Sequence, residues 1–321
     1  MLDKHGSQAD RLLVYTTRDR NNYRTQAIFN MLSQCKFSSM TCLKFAWSTC
    51  ATLMQCTSTS PLFALAIWLA PLALQPALAV DLQKHSILLK EDFERGADGE
   101  LARKLLAHPR KELANGSGPD GSDAIRVAYV GFDKGSERVG VRYPLRRKVA
   151  QASLTFDVCF EKDFQWTHGG KLHGLGPKLP VSGGKIRRPD GWSARIVFKK
   201  DGRCSTYLYD QNLELKYGMG QTTDRPVFMT GTWHHVCLQV WLNNPGQHDG
   251  LARILIDDQE VLSTEDVCFR GEGGTDTLIQ NFLFSTFHGG NTSKWTPIDK
   301  QGNPTTVYAL FDNFLVTSEN P

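Results

Sequence analysis

The stretch WSARIVFKKDGRCSTYLY, residues 192–209, has the pattern of two antiparallel strands joined by a tight turn. Every second residue of its first strand is apolar: Trp192, Ala194, Ile196 and Phe198. Successive side chains of a strand point to opposite faces, so Ser193 and Arg195 lie on the other side. The second strand alternates in the same way and places Tyr207 and Tyr209 on one face. One face of this hairpin is therefore predicted to pack against a core, while the other stays open.

The turn between these strands decides whether the two polar rows share a face. A two-residue turn would pair Arg195 with Leu208, whereas a three-residue loop over residues 200–202 pairs Arg195 with Tyr207. The longer loop, a type I turn with Gly202 left-handed in a bulge, keeps both apolar rows on the core side. Because a slip of one residue would exchange every side chain between faces, the sequence predicts the three-residue loop.

Beyond about residue 122 the chain has the same character. Short alternating segments separated by Gly, Pro, Asn and Asp are typical of an all-β sandwich or barrel. The predicted strands include QASLTFDVCF (residues 151–160), HHVCLQVWL (234–242) and TVYALFDNFLV (306–316). The segment LARILIDDQEVLS (251–263) is predicted to form a hairpin that turns at two adjacent aspartates. A helix is predicted only near residues 100–113, as a surface element that GSGPDGSD ends.

The first part of the chain differs from the rest. Residues 60–79, SPLFALAIWLAPLALQPALA, form an apolar run with an A-x-A ending, which is typical of a secretory signal. A membrane-spanning helix is the alternative, although two prolines interrupt the run. We predict a leader over residues 1–79, with its hydrophobic region at about 61–74, and a single domain over 80–321. The protein is then expected to be secreted or periplasmic, without stable membrane insertion after cleavage.

The cysteines leave two alternatives open. Four of them fall in the predicted domain: Cys159, Cys204, Cys237 and Cys268. None forms a C-x-x-C pair, and the sequence indicates no metal site. In an exported protein these four could form two disulfides, in any of three connectivities, or they could remain buried thiols.

Composition and charge limit the class of protein. A hydrophobic content of 40% and an aromatic content of 10% support a large core. The net charge of +4 comes from many residues of both signs, so it indicates no nucleic-acid partner. The chain has no G-x-G-x-x-G and no Walker loop, and we predict no cofactor and a monomer.

Several motifs together resemble one enzyme family. HGGKLHGL (residues 168–175), GWSARIVFKKDG (191–202) and CSTYLYD (204–210) are similar to segments of the alginate and glucuronan lyases of polysaccharide lyase family 14. The resemblance covers roughly residues 125–317. It implies a β-jelly roll, similar to concanavalin-like sandwiches, with a cleft across its concave sheet. It also implies β-elimination on an acidic polyuronate of the alginate or glucuronan type.

Carried over by position, the resemblance implies a catalytic set of five residues: Lys171, Ser193, Arg195, Tyr207 and Tyr209. The two tyrosines are assigned as base and acid, and the lysine as a neutraliser of the substrate carboxylate and an alternative base. Arginine is suited to a carboxylate because it donates two parallel hydrogen bonds. The serine is assigned as a positioning residue.

Substrate contacts are expected from residues near this set. They are His168 and His173, which flank the lysine, and Lys185, Arg187 and Arg188. The last three belong to a basic insert, residues 176–190, that departs from the family pattern and is interpreted as a mobile lid that attracts uronates. The histidine at position 173 is a second departure, since the family has proline there.

Two other functions fit the same fold class. A non-catalytic lectin-like sandwich would need no aligned lysine, arginine and paired tyrosines. A glycoside hydrolase would need two carboxylates placed across the scissile bond. Glu91, Asp92 and Glu94 come nearest to such a pair, but their spacing is wrong and they precede the strand-rich region.

Overall fold

Antiparallel β-strands are the main secondary structure of the described chain, residues 86–318, in the computed structural model. The predicted leader, residues 1–79, lies outside this range. Between residues 86 and 318, no helix combines the length and the apolar character needed to cross a bilayer.

The strands of the described part are numbered in chain order. They are β1 (Ile87–Glu91), β2 (Lys111–Ala114), β3 (Ala124–Phe132), β4 (Gly135–Ser136), β5 (Val139–Val149), β6 (Gln151–Phe160), β7 (Gly169–Gly176), β8 (Ser193–Lys199), β9 (Cys204–Tyr209), β10 (Trp233–Trp241), β11 (Gly250–Ile256), β12 (Gln259–Val267), β13 (Ile279–His288) and β14 (Thr306–Thr317). Two short helices, α1 (Glu94–Ala97) and α2 (Glu100–Leu106), precede β2. Short 3₁₀ turns lie at Pro119–Gly121, Lys200–Gly202, Thr275–Thr277 and Ser293–Trp295.

These strands form two sheets within the described residues. The larger has the order β12-β11-β10-β6-β14-β3-β2, with β1 added to β14 and β4 to β3. The smaller has the order β5-β13-β7-β8-β9. The pairings within both sheets are antiparallel. Two sheets that each bury one face explain the alternating sequence pattern and confirm the predicted sandwich.

The core lies between the sheets and is rich in aromatic residues. On β6, which is central in the larger sheet, every second residue is fully buried: Ala152, Leu154, Phe156, Val158 and Phe160. Phe156 stacks on Phe314 with ring centres 5.8 Å apart. Phe282 and Phe284 of β13 meet Phe314 from the smaller sheet. The predicted turn between β11 and β12 is also confirmed, because Asp257 and Asp258 both have positive φ, as a type I′ hairpin requires.

The helix prediction near residues 100–113 is partly wrong. The helix α2 ends at Leu106, and Lys111–Ala114 forms the edge strand β2. Pro109 explains the early end, because a proline disfavours the helical conformation of the residue before it. The helix is amphipathic: Leu101, Ala102 and Leu105 are buried, while its polar side is exposed at the surface.

The alternative with two disulfides among the four cysteines of the predicted domain is excluded in the described part of the chain. Cys159, Cys204 and Cys268 are free and buried. Burial raises the pKa of each of these thiols. A raised pKa lowers the thiolate fraction and therefore the reactivity of the group.

An unpaired lysine lies inside the core. The Lys111 ammonium is 4.5 Å from the centre of the Phe284 ring, and its Nζ has no hydrogen-bond partner in the described chain. Burial lowers the pKa of Lys111 to about 7. Since the same group has a pKa near 10 in an unfolded chain, the unfolded state binds more protons between about pH 7 and pH 10. In that window the contribution of this group to stability rises with pH.

We expect Lys111→Met to raise the free energy of unfolding by about 1–4 kcal/mol at pH 6, because it replaces a buried unpaired charge with an apolar side chain of similar length. The gain should shrink towards pH 9, where the wild-type amine is already neutral in the fold. Urea unfolding at both pH values measures this, with exposed Lys134→Met as the matched control. A loss of stability at both pH values would contradict the interpretation.

Candidate active site

The β8–β9 hairpin adopts the predicted register. Arg195 pairs with Tyr207, and Ser193 pairs with Tyr209. Gly202 has a φ of 73°, as the bulged loop requires, but Asp201 is left-handed as well, with a φ of 62°. The predicted type I turn is therefore replaced by two consecutive left-handed residues, while the pairing of the strands is unchanged.

Strand β7 carries the lysine and contains a bulge. Its pairing with both neighbours, β8 and β13, shifts between Lys171 and Gly174. A bulge interrupts the alternation of side chains along a strand. As a result Lys171 faces the open side of the sheet, while Leu172 and His173 are both fully buried.

His173 is therefore not a substrate contact, and that prediction is corrected. Its ring lies 4.3 Å from the ring of Phe284 and 4.7 Å from that of Phe156, measured between centres. The Ser285 N–H donates to its Nδ1 at 3.2 Å. Burial holds the pKa of His173 well below its usual range, so the ring is a neutral part of the core.

Gly174 allows the bulged strand to approach β8. A Cβ atom at this position would lie 2.0 Å from the Ala194 carbonyl oxygen and 2.8 Å from the Cα of Arg195. No side chain fits into this space without moving the β8 backbone. The position of Arg195 thus depends on a glycine in the neighbouring strand.

A groove of about 800 Å³ crosses the open face of the smaller sheet. Its lining includes five cationic side chains, from Arg138, Lys171, Lys185, Arg195 and Lys199. It also includes aromatic rings, from Tyr207, Tyr217, Phe287 and Trp295. Among the lining residues of the described chain there is no carboxylate. The groove is therefore suited to an anionic ligand with apolar faces.

Lys171 lies at the centre of these groups. Its Nζ is 5.2 Å from the centre of the Tyr207 ring and 5.6 Å from that of Phe287. Burial, together with the nearby charges of Arg195 and Arg138, lowers the pKa of Lys171 to about 7. A lysine with such a pKa is partly neutral at physiological pH and can accept a proton.

Arg195 presents an unused donor. The side chain is only 7% exposed, and its Nη1 donates to the Ser285 hydroxyl at 3.1 Å. Its Nε has no partner in the described chain. Burial lowers the pKa of Arg195 to about 10, so the group remains a cation at neutral pH. A buried charged donor without a partner favours binding of an acceptor such as a carboxylate.

The two tyrosines differ in their surroundings. Tyr207 lines the groove, and its hydroxyl lies 3.3 Å from that of Tyr209. Burial and this contact raise the pKa of Tyr207, which keeps the phenol protonated. Tyr209 is fully buried, and its oxygen accepts a hydrogen bond from the Gly184 N–H at 2.8 Å.

The insert, residues 176–190, covers part of the predicted catalytic set. The Ser193 hydroxyl is fully buried and donates a hydrogen bond to the Val181 carbonyl of the insert at 2.7 Å. The Tyr209 hydroxyl is bonded to the insert in a similar way, through the Gly184 N–H. Ser193 and Tyr209 thus share the sheet face with the groove residues but hold the insert. This corrects the prediction of Tyr209 as an acid or base, and it directs the positioning role of Ser193 at the insert.

Arg187 is a structural clamp, and its prediction as a substrate contact is also corrected. Its guanidinium donates to the carbonyl oxygens of Asp210, Leu215 and Tyr217. The Asp210 carboxylate lies 3.6 Å away, and the guanidinium packs 5.0 Å from the centre of the Tyr209 ring. These contacts tie the insert to the chain beyond β9, so the insert is an anchored wall of the groove.

The remaining predicted contacts are at the surface. Lys185 is exposed and lines the groove. Arg188 is exposed and pairs with Asp190 at 3.1 Å. His168 is exposed, with its ring 5.4 Å from that of Trp295 between centres. The structure thus brings together Lys171, Arg195, Tyr207 and Lys185.

Two further cations, which the sequence did not predict as site residues, line the groove. Arg195, Val197 and Lys199 are alternate residues of β8, so the alternation of side chains predicts Lys199 on the same open face as Arg195. Arg138 has no such local signal, because it precedes β5, which is paired with the distant β13. In the described residues, no three His, Cys, Asp or Glu side chains converge as metal ligands do.

The chain is similar to proteins of known family and structure. The sequence model described as polysaccharide lyase 14 matches residues 133–314, more than half of the chain. The structure of alginate lyase Aly36B is 22% identical, with a TM-score of 0.57, over 73% of this chain and 99% of that one. A mutant of that enzyme in complex with an alginate tetrasaccharide is 21% identical, with a TM-score of 0.55, over 73% of this chain and 96% of that one.

Alginate lyase vAL-1 from Chlorella virus is 19% identical, with a TM-score of 0.52, over 65% of this chain and 90% of that one. No curated protein sequence matches significantly. At these identities the structural likeness concerns the fold, and it agrees with the predicted jelly roll.

Proposed function

The chain belongs to polysaccharide lyase family 14 and is a polysaccharide lyase, and we propose that it cleaves an acidic polyuronate of the alginate or glucuronan type by β-elimination. The observation that carries the choice of substrate is the charge of the groove. Five cations and no carboxylate line it in the described chain. A polymer with one carboxylate per sugar matches this lining, whereas a neutral polysaccharide would leave the cations unpaired.

The elimination begins with the substrate carboxylate. Its negative charge opposes removal of the proton on the adjacent carbon, so the charge must first be neutralised. Arg195 is placed for this, because its Nε is unpartnered and it stays charged at neutral pH. Donors that are fixed in advance in a partly dry site stabilise the developing charge most strongly.

We assign Lys171 as the base and Tyr207 as the acid. The neutral Lys171 amine takes the proton, the electron pair forms a carbon–carbon double bond, and the bond to the glycosidic oxygen breaks. The leaving oxygen takes the proton of the Tyr207 hydroxyl. Transfer of a proton from the lysine to the tyrosine then restores both groups.

This assignment exchanges the roles that the sequence favoured. The resemblance assigns the two tyrosines as base and acid, but burial raises the pKa of Tyr207 and thus disfavours the phenolate that a base requires. The pKa of Lys171, lowered to about 7, fits a base that operates near neutral pH. The alternative role that the sequence allowed for Lys171 is thus the better supported one.

The proposed reaction is tested by incubating the purified chain with a panel of polyuronates and recording ultraviolet absorbance of the unsaturated product. We expect an increase with alginate or glucuronan and none with neutral glucans. Retained binding to polyuronates without any absorbance change would favour a lectin and refute the lyase proposal.

The pH dependence of activity follows from the lysine. Because only the neutral amine accepts a proton, we expect kcat/KM to rise about tenfold per pH unit below about pH 7 and to level off above it. Ionisation of Tyr207 should lower activity only at strongly alkaline pH, since its pKa is raised. Initial rates measured across this range at constant ionic strength test the expectation, and activity that falls between pH 6 and 8 would contradict it.

We also propose that the protein is exported, as a secreted or periplasmic enzyme, and acts as a monomer. The apolar run with an A-x-A ending supports export. N-terminal sequencing of the protein recovered outside the cell should place the first residue near Val80. Light scattering should give the mass of one chain.

A further inference from the structure

A second cavity, of about 580 Å³, lies beside the groove, and we call it the side cavity. It is lined by four cations: Arg142, Lys185, Arg188 and Arg195. Its apolar lining comes from Leu179, Val181, Ile186, Leu283 and Phe284. The described lining residues include no carboxylate. Its volume lies in the range of sites that hold small molecules.

The side cavity and the groove are adjacent and share part of their lining. Gly140, Lys185, Arg195 and Ser285 line both of them. The buried guanidinium of Arg195, with its unpartnered Nε, stands at this junction. A polymer held at Arg195 by one carboxylate would therefore have its next sugars beside the side cavity.

The cations of the side cavity differ in availability. Arg188 is paired with Asp190, which neutralises part of its charge. Arg142 is exposed and uses Nη1 to donate to the Lys178 carbonyl at 3.1 Å, which leaves its other donors available. Lys185 has no carboxylate at ion-pair distance within residues 86–318. Arg142 and Lys185 are thus the donors best able to bind an anion.

The insert gives the side cavity a fixed wall. Hydrogen bonds of Ser193, Tyr209 and Arg187 anchor the insert to the rest of the fold. The insert residues that line the side cavity include Leu179, Val181, Lys185, Ile186 and Arg188. Ile186 is 88% exposed, an unusual position for a large apolar side chain. The carbon–hydrogen face of a sugar ring is a suitable partner for such a surface.

We propose that the side cavity is a distal subsite, in which Arg142 and Lys185 bind the carboxylate of a uronate residue away from the bond that is cleaved. The proposal rests on the proposed function and adds a determinant of chain length to it. Because Lys185 belongs to the insert, the insert then acts as a specificity element. Its role as a mobile lid, expected from the sequence, is replaced by that of an anchored subsite wall.

The test compares kcat/KM on the shortest cleaved oligouronate with kcat/KM on oligomers extended by one residue at a time. The gain from extension is the factor by which kcat/KM rises when the oligomer is lengthened. We expect this gain to be about tenfold smaller in Arg142→Ala and in Lys185→Ala, mainly through a higher KM, since a bond to a charged group is lost. The matched controls are Arg146→Ala, on the same strand as Arg142, and Lys200→Ala, at the hairpin tip. Neither residue lines the groove or the side cavity, and both variants should keep the wild-type gain.

A loss of equal size on all oligomer lengths, or no loss at all, would overturn the distal subsite while leaving the lyase intact. Absence of wild-type activity on every polyuronate would instead refute the proposed function. In that event the affinities of the same variants for short and long oligouronates, measured by calorimetry, still decide the subsite. An affinity that does not increase with length in the wild type would overturn it.

Discussion

Replacing Lys171 with alanine should lower kcat/KM on a polyuronate by about a thousandfold, within the range that loss of a general base produces. The amine is buried beside Arg195 and Arg138, and its pKa is lowered to about 7. The alanine variant should remain folded, because it removes a partly buried amine that lies beside two guanidinium groups. Absorbance assays at pH 8, together with thermal unfolding, measure both effects.

Lys171→Arg separates two roles for this residue. Arginine keeps the positive charge but cannot release its proton at working pH, so it can neutralise a carboxylate and cannot act as a base. If Lys171 is the base, the arginine variant should be as inactive as the alanine variant. An arginine variant with substantial activity would show that the lysine neutralises the substrate. Lys200→Ala, exposed at the hairpin tip, serves as the control and should match the wild type.

Replacing Tyr207 with phenylalanine should lower kcat/KM by about a hundredfold, because the leaving oxygen loses its proton donor. The same change at Tyr209 should have a smaller effect on rate. Tyr209 does not line the groove, and its oxygen is bonded to the Gly184 N–H of the insert. Tyr209→Phe should instead lower the melting temperature, since a partly buried N–H loses its acceptor.

A substrate with a good leaving group tests the acid role directly. An oligouronate that carries a nitrophenyl group at the cleaved bond needs little protonation of the departing oxygen. Tyr207→Phe should therefore regain most of its rate on this substrate, whereas Lys171→Ala should not. A larger loss in Tyr209→Phe than in Tyr207→Phe would reverse the assignment of the acid.

The hairpin could be predicted from the sequence because its geometry is local. Alternation over residues 192–209 and the length of the loop between the strands together determine that Arg195 opposes Tyr207. The strand pattern of β6, β10 and β14 was predictable for the same reason. The end of α2 was missed although a local signal, Pro109, was present.

The bulge in β7 could not be predicted in this way. Strict alternation would place Lys171 and His173 on one face, whereas the shift between Lys171 and Gly174 buries the histidine. That shift depends on pairing with β13, which lies more than a hundred residues further along the chain. The replacement of proline by histidine at this position therefore concerns packing of the core, and it is no guide to the choice of polymer.

Whether the cations of the insert face solvent, the groove or the rest of the fold also depends on distant contacts. Its basic composition fits a solvated loop and a substrate-binding loop equally well. Only the contacts of each cation distinguish these two roles. Arg187 is satisfied by three carbonyl oxygens, while Lys185, two residues earlier, faces the groove. Neighbours of the same charge thus have opposite roles, which composition alone cannot reveal.

The close approach of β7 and β8 at Gly174 limits how this enzyme can change during evolution or in a mutant library. Even alanine there would press on the backbone that carries Arg195. Random mutagenesis should thus recover almost no active clone altered at this position, although the residue offers no functional group to the reaction. Attempts to retarget the enzyme are better directed at the exposed tip of the insert, where side chains can be exchanged without displacing a strand.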